Sequence, residues 1–316
     1  MERKVVFGPV PSRRLGQSLG INNIPAPKIC SYSCVYCQIG ITLNYSTERR
    51  EFYSVKKIVD EVSDILKKLK DKGEKVDFIS FVPDGEPTLD INLGEEIEAL
   101  RQFNIRIAVI TNSSLLWKED VRNDLKKADL VSLKIDTVNR KIWEKINRPV
   151  RGISIDKILE GIKKFSSVFN GVLLTETLLV KGMNDSADLI KETGLFILSI
   201  KPSTAYIGIP TRPPAEIWAL PPIEKKVLYA YEIFTGYGIK TELITGSGSG
   251  IFGFTGEIEE DIVNTVSVHP MSKKQIEKLL KKANNNWNIM EKLLKKEVIK
   301  EIKYQGEKYY IKNFSK

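Results

Sequence analysis

Histidine is nearly absent from this chain: His269 is the single one in 316 residues, and a structural zinc site, which takes four protein ligands, finds little to use. No apolar run approaches the ~20 residues of a membrane-spanning helix. The amino terminus, Met1-Glu2-Arg3-Lys4-Val5, lacks the apolar stretch of a secretory signal. Cysteine is scarce as well, with three in the chain, an odd number that argues against a closed set of intrachain disulfides. Free thiols without an export signal predict a reducing, cytoplasmic setting with no membrane partner. Arginine and aspartate are missing from the last segment. Val268 to Lys316 holds 13 lysines and five glutamates, so it carries +8 of the formal net charge of +9, and +1 is left for the preceding 267 residues.

The three cysteines lie within eight positions, in Cys30-Ser31-Tyr32-Ser33-Cys34-Val35-Tyr36-Cys37. Thiols that served only to pack a core would not collect in one loop. Soft thiolate clusters select zinc, copper(I) or iron–sulfur centres. A cubane iron–sulfur cluster normally takes four cysteines; with three, one iron keeps an open position, the mark of a catalytic metal. Structural zinc and inert buried thiols are the competing readings.

The spacing Cys-x3-Cys-x2-Cys, with Tyr36 directly before the last cysteine, resembles the radical S-adenosylmethionine (SAM) superfamily. The resemblance implies that Cys30, Cys34 and Cys37 hold a [4Fe-4S] cluster whose open iron is chelated by the amine and carboxylate of SAM. An electron from an external donor of the flavodoxin or ferredoxin type then cleaves SAM to methionine and a 5′-deoxyadenosyl radical. Asp84-Gly85-Glu86-Pro87 resembles the family's Gly-Gly-Glu-Pro motif, which binds the amino group of SAM, with Asp84 in place of the first glycine. Thr111-Asn112-Ser113 is similar to the family's Thr-Asn-Gly, which would bring Asn112 to the SAM carboxylate or ribose. Ile207-Gly208-Ile209 is similar to the adenine-contacting strand, and Tyr36 is expected beside adenine. Together with Gly8-Pro9-Val10-Pro11-Ser12-Arg13-Arg14-Leu15-Gly16 and Thr211-Arg212-Pro213-Pro214, these motifs resemble a largely uncharacterised prokaryotic group related to the enzymes that build the wyosine base of tRNA. Those synthases carry further cysteines for a second cluster. This chain has none, so their activity does not carry over.

The expected fold is α/β: a partial (β/α)6 TIM-like barrel over residues 1–245, a Gly-rich flap or linker over 246–267, and a basic winged-helix-like domain over 268–316. The start, Phe7 to Gly16, reads as a shaped loop because of its glycines and prolines. Apolar residues at spacings of three and four predict a helix from Val55 to Gly73. Strands are expected at 76–82, 105–111, 130–135, 171–180, 204–209 and 239–244, with helices near 93–103, 117–127, 139–146, 154–168, 186–199 and 222–236. Such alternation implies parallel strands with right-handed crossovers, and in these barrels the working residues sit at the strands' carboxyl ends. Gly246-Ser247-Gly248-Ser249-Gly250 lacks the Lys-Ser/Thr of a nucleotide loop and reads as a hinge or flap. Residues 258–264 read as a short acidic bridge. Two helices, the first capped by Ser272, and a hairpin about Gln305-Gly306-Glu307 complete the tail.

Ser132, Lys134 and Asp136 alternate along one strand and share a face. Inside the barrel they would serve ribose or substrate binding; facing outwards they would not. Glu176, in an apolar strand, raises the same question. Arg13 and Arg14 match a carboxylate or phosphate or simply cap a surface loop, and Arg212 joins them and Glu176 as a substrate candidate. Glu86 has an alternative as a plain N-cap, and His269 reads as structural. Three functions follow. The first is a radical SAM enzyme acting on RNA, gripped by the lysine-rich tail. The second acts on a protein or small metabolite. The third is a non-enzymatic iron–sulfur sensor with a DNA-binding winged helix.

Overall fold

The computed structural model describes residues 4–246 and 252–313. Its chain begins with a hairpin, β1 (Val6–Ser12) and β2 (Gly16–Ile21), then a two-residue pair, β3 (Ile29–Cys30) with β4 (Asn44–Tyr45). Helix α1 (Val55–Asp71) forms because Ile58, Val62, Ile65 and Leu69 fall on one face and are buried there, while Ser54 caps the first turn through Lys57 N. The alternating units follow: β5 (Phe78–Phe81), α2 (Leu93–Leu100), β6 (Arg106–Thr111), α3 (Glu119–Leu125) and β7 (Leu130–Lys134). Next come α4 (Arg140–Ile146), α5 (Ile155–Ser166), β8 (Val172–Leu178), α6 (Ala187–Ile200), β9 (Thr204–Gly208), α7 (Glu224–Gly236) and β10 (Thr241–Ile244).

Among the described residues the main sheet has eight strands in the order β1-β2-β5-β6-β7-β8-β9-β10, parallel from β2 onward. It curls into a partial barrel. The two-residue period divides each strand between its faces. Ile79, Phe81, Ile107, Val109, Val131, Leu133 and Leu173 turn to the helices and join the largest core. Phe78, Ala108, Leu130, Leu174 and Tyr206 turn inward and, with Leu15, plug the amino-terminal end of the barrel. Two residues further along those strands the interior becomes polar, at Ser80, Ser132 and Glu176.

The fold departs from the expected outline at both ends. Phe7 to Gly16 is not an irregular loop: most of it is β1. Its prolines are tolerated because β1 is the outermost strand, where a missing N–H forfeits no inner ladder bond, and the register shifts between Phe7 and Val10. The acidic stretch from 258 is not a bridge but the start of helix α8 (Ile258–Val268), whose Ile258, Ile262 and Val266 are buried. Glu259, Glu260 and Asp261 occupy its first turn, where negative charge complements the helix dipole. The glycine-rich run largely falls outside the described residues.

After β11 (Met271–Ser272) come α9 (Lys273–Lys282), opened by a full capping box between Ser272 and Gln275, and α10 (Asn288–Lys295). The hairpin β12 (Ile299–Tyr304) and β13 (Glu307–Lys312) then forms a three-stranded sheet with β11. This unit is docked. Phe7 and Val10 of β1 share one buried core with Ile262, Met271, Leu279 and Tyr310, and Tyr304 and Tyr309 donate to the carbonyls of Pro210 and Thr211 at 3.2 and 3.0 Å.

Candidate active site

Cys30 ends β3, and its neighbour Ile29 runs beside Gly85 as an isolated parallel bridge. Ile29 N donates to Asp84 O at 3.2 Å, and Glu86 N donates to Ile29 O at 3.3 Å. A Cβ on Gly85 would lie 1.8 Å from Ile29 O, so only glycine allows the two backbones this close. Beyond Cys30 the loop is tied to the end of α4: Ser33 N and Val35 N donate to Asn147 O and Ile146 O, each at 2.9 Å. Tyr32 packs edge-on to Trp143, whose Nε1 donates to the tyrosine oxygen at 3.0 Å.

Each sulfur receives a side-chain N–H. Asn112 Nδ2 donates to Cys30 Sγ at 3.4 Å, Asn147 Nδ2 to Cys34 Sγ at 3.3 Å, and Lys28 Nζ to Cys37 Sγ at 3.2 Å. As free thiols, Cys30 and Cys34 are pushed by burial up to about 11 and about 12. All three line a cavity of about 320 Å³ that reaches the strand ends through Gly85, Asn112, Lys134 and Gly208, within the ~300–1,000 Å³ of small-molecule sites. Among the described residues no group of three or more His, Cys, Asp or Glu side chains is set to hold a single metal ion. A cubane asks each thiolate to reach a different iron, and three thiols on one loop leave its fourth iron open.

The family model of the radical SAM superfamily matches residues 24–193, more than half of the chain. The chain belongs to the radical SAM superfamily. It is 46% identical over 312 residues to a UPF0026 protein of Methanocaldococcus jannaschii, covering 98% of this chain and 96% of that one. A radical SAM methyltransferase from Sphaerobacter thermophilus has a similar fold, at a TM-score of 0.53 and 15% identity over 73% of this chain and 67% of its own. TYW1 with a bound lysine–pyruvate adduct also matches, at a TM-score of 0.44 and 11% identity over 95% of this chain and 80% of its own, a likeness too slight to bear on activity. Radical SAM enzymes use a [4Fe-4S] cluster and SAM, with an external electron donor. Among the described residues no helix is long and apolar enough to cross a membrane.

Within this radical SAM fold, several expected cofactor contacts also brace the structure, and Glu86 does so while lining the cavity. Glu86 is fully buried and N-caps the turn at Pro87–Leu89: Thr88 N, Thr88 Oγ1 and Thr111 Oγ1 donate to Oε1, and Asn112 N donates to Oε2 at 2.7 Å. Its carboxylate thus joins two strand ends. Asp84 is buried and does not line the cavity, and its backbone N donates to Asn22 Oδ1 at 2.7 Å. Asp136 also lies outside that cavity. It accepts from Tyr36 Oη, from Asn147 Nδ2 at 2.8 Å and from Leu178 N at 2.9 Å, which fastens the cysteine loop to β8. Ser132 is buried and accepts from Arg14 Nη1 at 3.4 Å. Lys134 lines the cavity and lies over the Tyr36 ring at 4.7 Å. A Cβ on Gly208 would meet nothing nearer than Glu176 Oε1 at 3.8 Å, so a side chain there would fill open cavity.

Glu176 faces inward between Arg14 and Lys134, the latter at 2.9 Å. Burial alone would raise its carboxyl; the charges of Arg14 and Lys134 outweigh it and hold the group at about 2. Its folded value lies below the usual ~4.3, so the stabilisation is complete above that pH and is lost as pH falls towards 2. Replacing Glu176 by leucine strands two cations. We expect a loss of about 3 kcal/mol and a melting temperature lower by roughly 6 °C, with the acid-dependent part of the melt between pH 5 and 2 flattened. A variant melting like the parent at pH 7 would contradict the pairing.

His269 is half-buried and edge-on to Phe252, with ring centres 5.5 Å apart. Burial, assisted by the Arg212 charge, pushes its imidazole well below the usual range. The thiol donors Lys28 and Asn147 carried no signal of their own: one is a lysine beside a loop, the other is an asparagine 113 residues from Cys34.

Proposed function

We propose that Cys30, Cys34 and Cys37 hold the [4Fe-4S] cluster and that SAM occupies the cavity between them and the strand ends. The observation that carries this reading is the convergence of three thiols from one loop on a single cavity, each sulfur receiving a side-chain N–H. When bound, the cluster supplies the electron for reductive cleavage of SAM. The chain's own contribution is to enclose the sulfurs, with Asn112, Asn147 and Lys28 donating to them, and to present the backbone at Gly85 and the open wall at Gly208 to the cofactor. The electron donor is of the flavodoxin or ferredoxin type. Adding SAM to the reduced, reconstituted protein is expected to change its electron paramagnetic resonance spectrum, because SAM would ligate the open iron. An unchanged spectrum contradicts the reading.

Lys28 adds a positive charge at Cys37 Sγ, and hydrogen bonds to cluster sulfurs favour the reduced, more negative state. Lys28→Met is expected to lower the midpoint potential by on the order of tens of millivolts, as follows from part of a charge-assisted bond of ~1.5–3 kcal/mol in a one-electron couple. A spectroscopically monitored redox titration checks this, and an unmoved midpoint contradicts it.

RNA as the substrate is a second reading, supported by the basic tail. Lys281, Lys295, Lys296, Lys300 and Lys303 are exposed, and the helix–helix–hairpin order is that of a winged helix. Others of the lysines are neutralised locally, as in Lys274–Glu307 and Lys292–Glu259. Phosphate contacts make binding salt-dependent. Replacing Lys281, Lys295 and Lys300 by glutamine should weaken tRNA binding at least tenfold and flatten its salt slope. Equal binding favours a protein or small metabolite instead.

A further inference from the structure

The SAM-sized cavity does not end at the cysteine loop. Arg14, Gln38, Thr211 and Arg212 line both it and a second chamber of about 200 Å³. The chamber is bounded by the β1–β2 turn with Arg13 and Arg14, by the segment after β9 with Thr211 and Arg212, and by His269. Among the described residues that line it there are three arginines and neither an aspartate nor a glutamate.

Arg212 sets this chamber apart. Other enclosed cations face anionic or thiol partners: Arg49 has Asp120 and Asp124, Lys134 and Arg14 have Glu176, and Lys28 has Cys37. Arg212 has no carboxylate partner among the described residues. Its Nη1 donates to Gln38 Oε1 at 3.3 Å, and its buried Nε has no partner. Burial, together with the charge of Arg14, outweighs the opposing influence of Tyr309 and Glu176 and pulls the guanidinium down to about 10. Enclosing a charge without a directly paired carboxylate is costly, yet the fold builds this one in firmly. Tyr304 and Tyr309 of the docked C-terminal hairpin clamp the carbonyls of Pro210 and Thr211, immediately before Arg212.

We propose that the chamber seats a phosphate group of the substrate, with Arg212 and Arg13 as its principal donors and Arg14 and Gln38 at the boundary with the SAM cavity. Guanidinium forks match phosphate oxygens in pairs. Forks arriving from the β1–β2 turn and from the strand-end segment approach from separate parts of the chain, and a tetrahedral phosphate offers more oxygens for two forks than a planar carboxylate does. The chamber adjoins the cysteine-lined cavity and shares part of its lining, so a phosphate held there would leave the rest of the substrate beside the SAM site. That last step rests on the radical SAM reading; the phosphate seat does not.

The test is isothermal titration of cluster-reconstituted protein with inorganic phosphate, in the parent, in Arg212→Gln, in Arg212→Lys and in Arg13→Gln. SAM cleavage and a melting curve are recorded on the same preparations. One phosphate per chain is expected in the parent. Affinity should fall at least tenfold in both Arg212 variants, since lysine keeps the charge but not the fork, and measurably in Arg13→Gln, whose exposed side chain makes misfolding no explanation. Displacement of phosphate by a nucleoside monophosphate alone assigns the group to a small ester; displacement by a short oligoribonucleotide as well assigns it to RNA. Equal affinity in the parent, Arg212→Gln and Arg13→Gln overturns the proposal. So does the absence of binding heat in a parent preparation that cleaves SAM. A preparation that binds phosphate but does not cleave SAM would sink the proposed function and leave the phosphate seat standing.

Discussion

Replacing Cys30, Cys34 or Cys37 singly by alanine is expected to remove the broad visible absorption of the reconstituted protein and to reduce SAM cleavage to background. The three sulfurs belong to one loop, and each has a side-chain N–H donor from a different part of the chain, so none substitutes for another. His269 offers no replacement, because it packs against Phe252. Loss of an outer hydrogen-bond partner of a metal ligand typically costs ~10–100-fold, and loss of the ligand itself should exceed that range in all three variants. Iron content and absorbance, measured before and after reconstitution, check the result. A variant retaining full iron and parental turnover would mean that its thiol is not a ligand.

Gly85→Ala should be nearly as damaging, although residue 85 carries no side chain to react. The added Cβ would sit 1.8 Å from Ile29 O and 2.8 Å from Ile29 C, both backbone atoms that no rotamer change moves. Either β3 shifts, carrying Cys30 with it, or the turn after β5 does, carrying Glu86 away from Thr111 and Asn112. We expect a loss of about 3 kcal/mol or more together with poor iron incorporation. Normal iron loading and a parental melt would show that the backbone at Gly85 relaxes freely.

How much of this was legible in the sequence depends on how local the signal is. The thiol spacing and the strand–helix alternation are local, and both survive in the structure, with β5 to β10 close to their expected positions. Helix α8 has a local signal too, since Ile258, Ile262 and Val266 repeat at four, but the acidic first turn gives the same stretch the look of a solvated linker. The β1–β2 hairpin was hidden by prolines, which weigh against a strand unless its edge position is known. Glu86 and Asp136 illustrate a different limit. Their bracing contacts, of Glu86 with Thr111 and of Asp136 with Tyr36 and Asn147, join positions that the sequence does not bring together. The docking of the tail on β1, and with it the enclosure of Arg212, depends on contacts between distant parts of the chain. No window along the sequence contains them.

The central claim is that this cavity cleaves SAM by one-electron reduction. It is tested most directly by incubating anaerobically reconstituted protein with dithionite and SAM and quantifying 5′-deoxyadenosine and methionine. The account predicts both products in equal amounts from the parent and neither from the Cys34→Ala variant. A fully loaded, reducible cluster that yields no 5′-deoxyadenosine, with or without cell extract as a source of substrate, would contradict it.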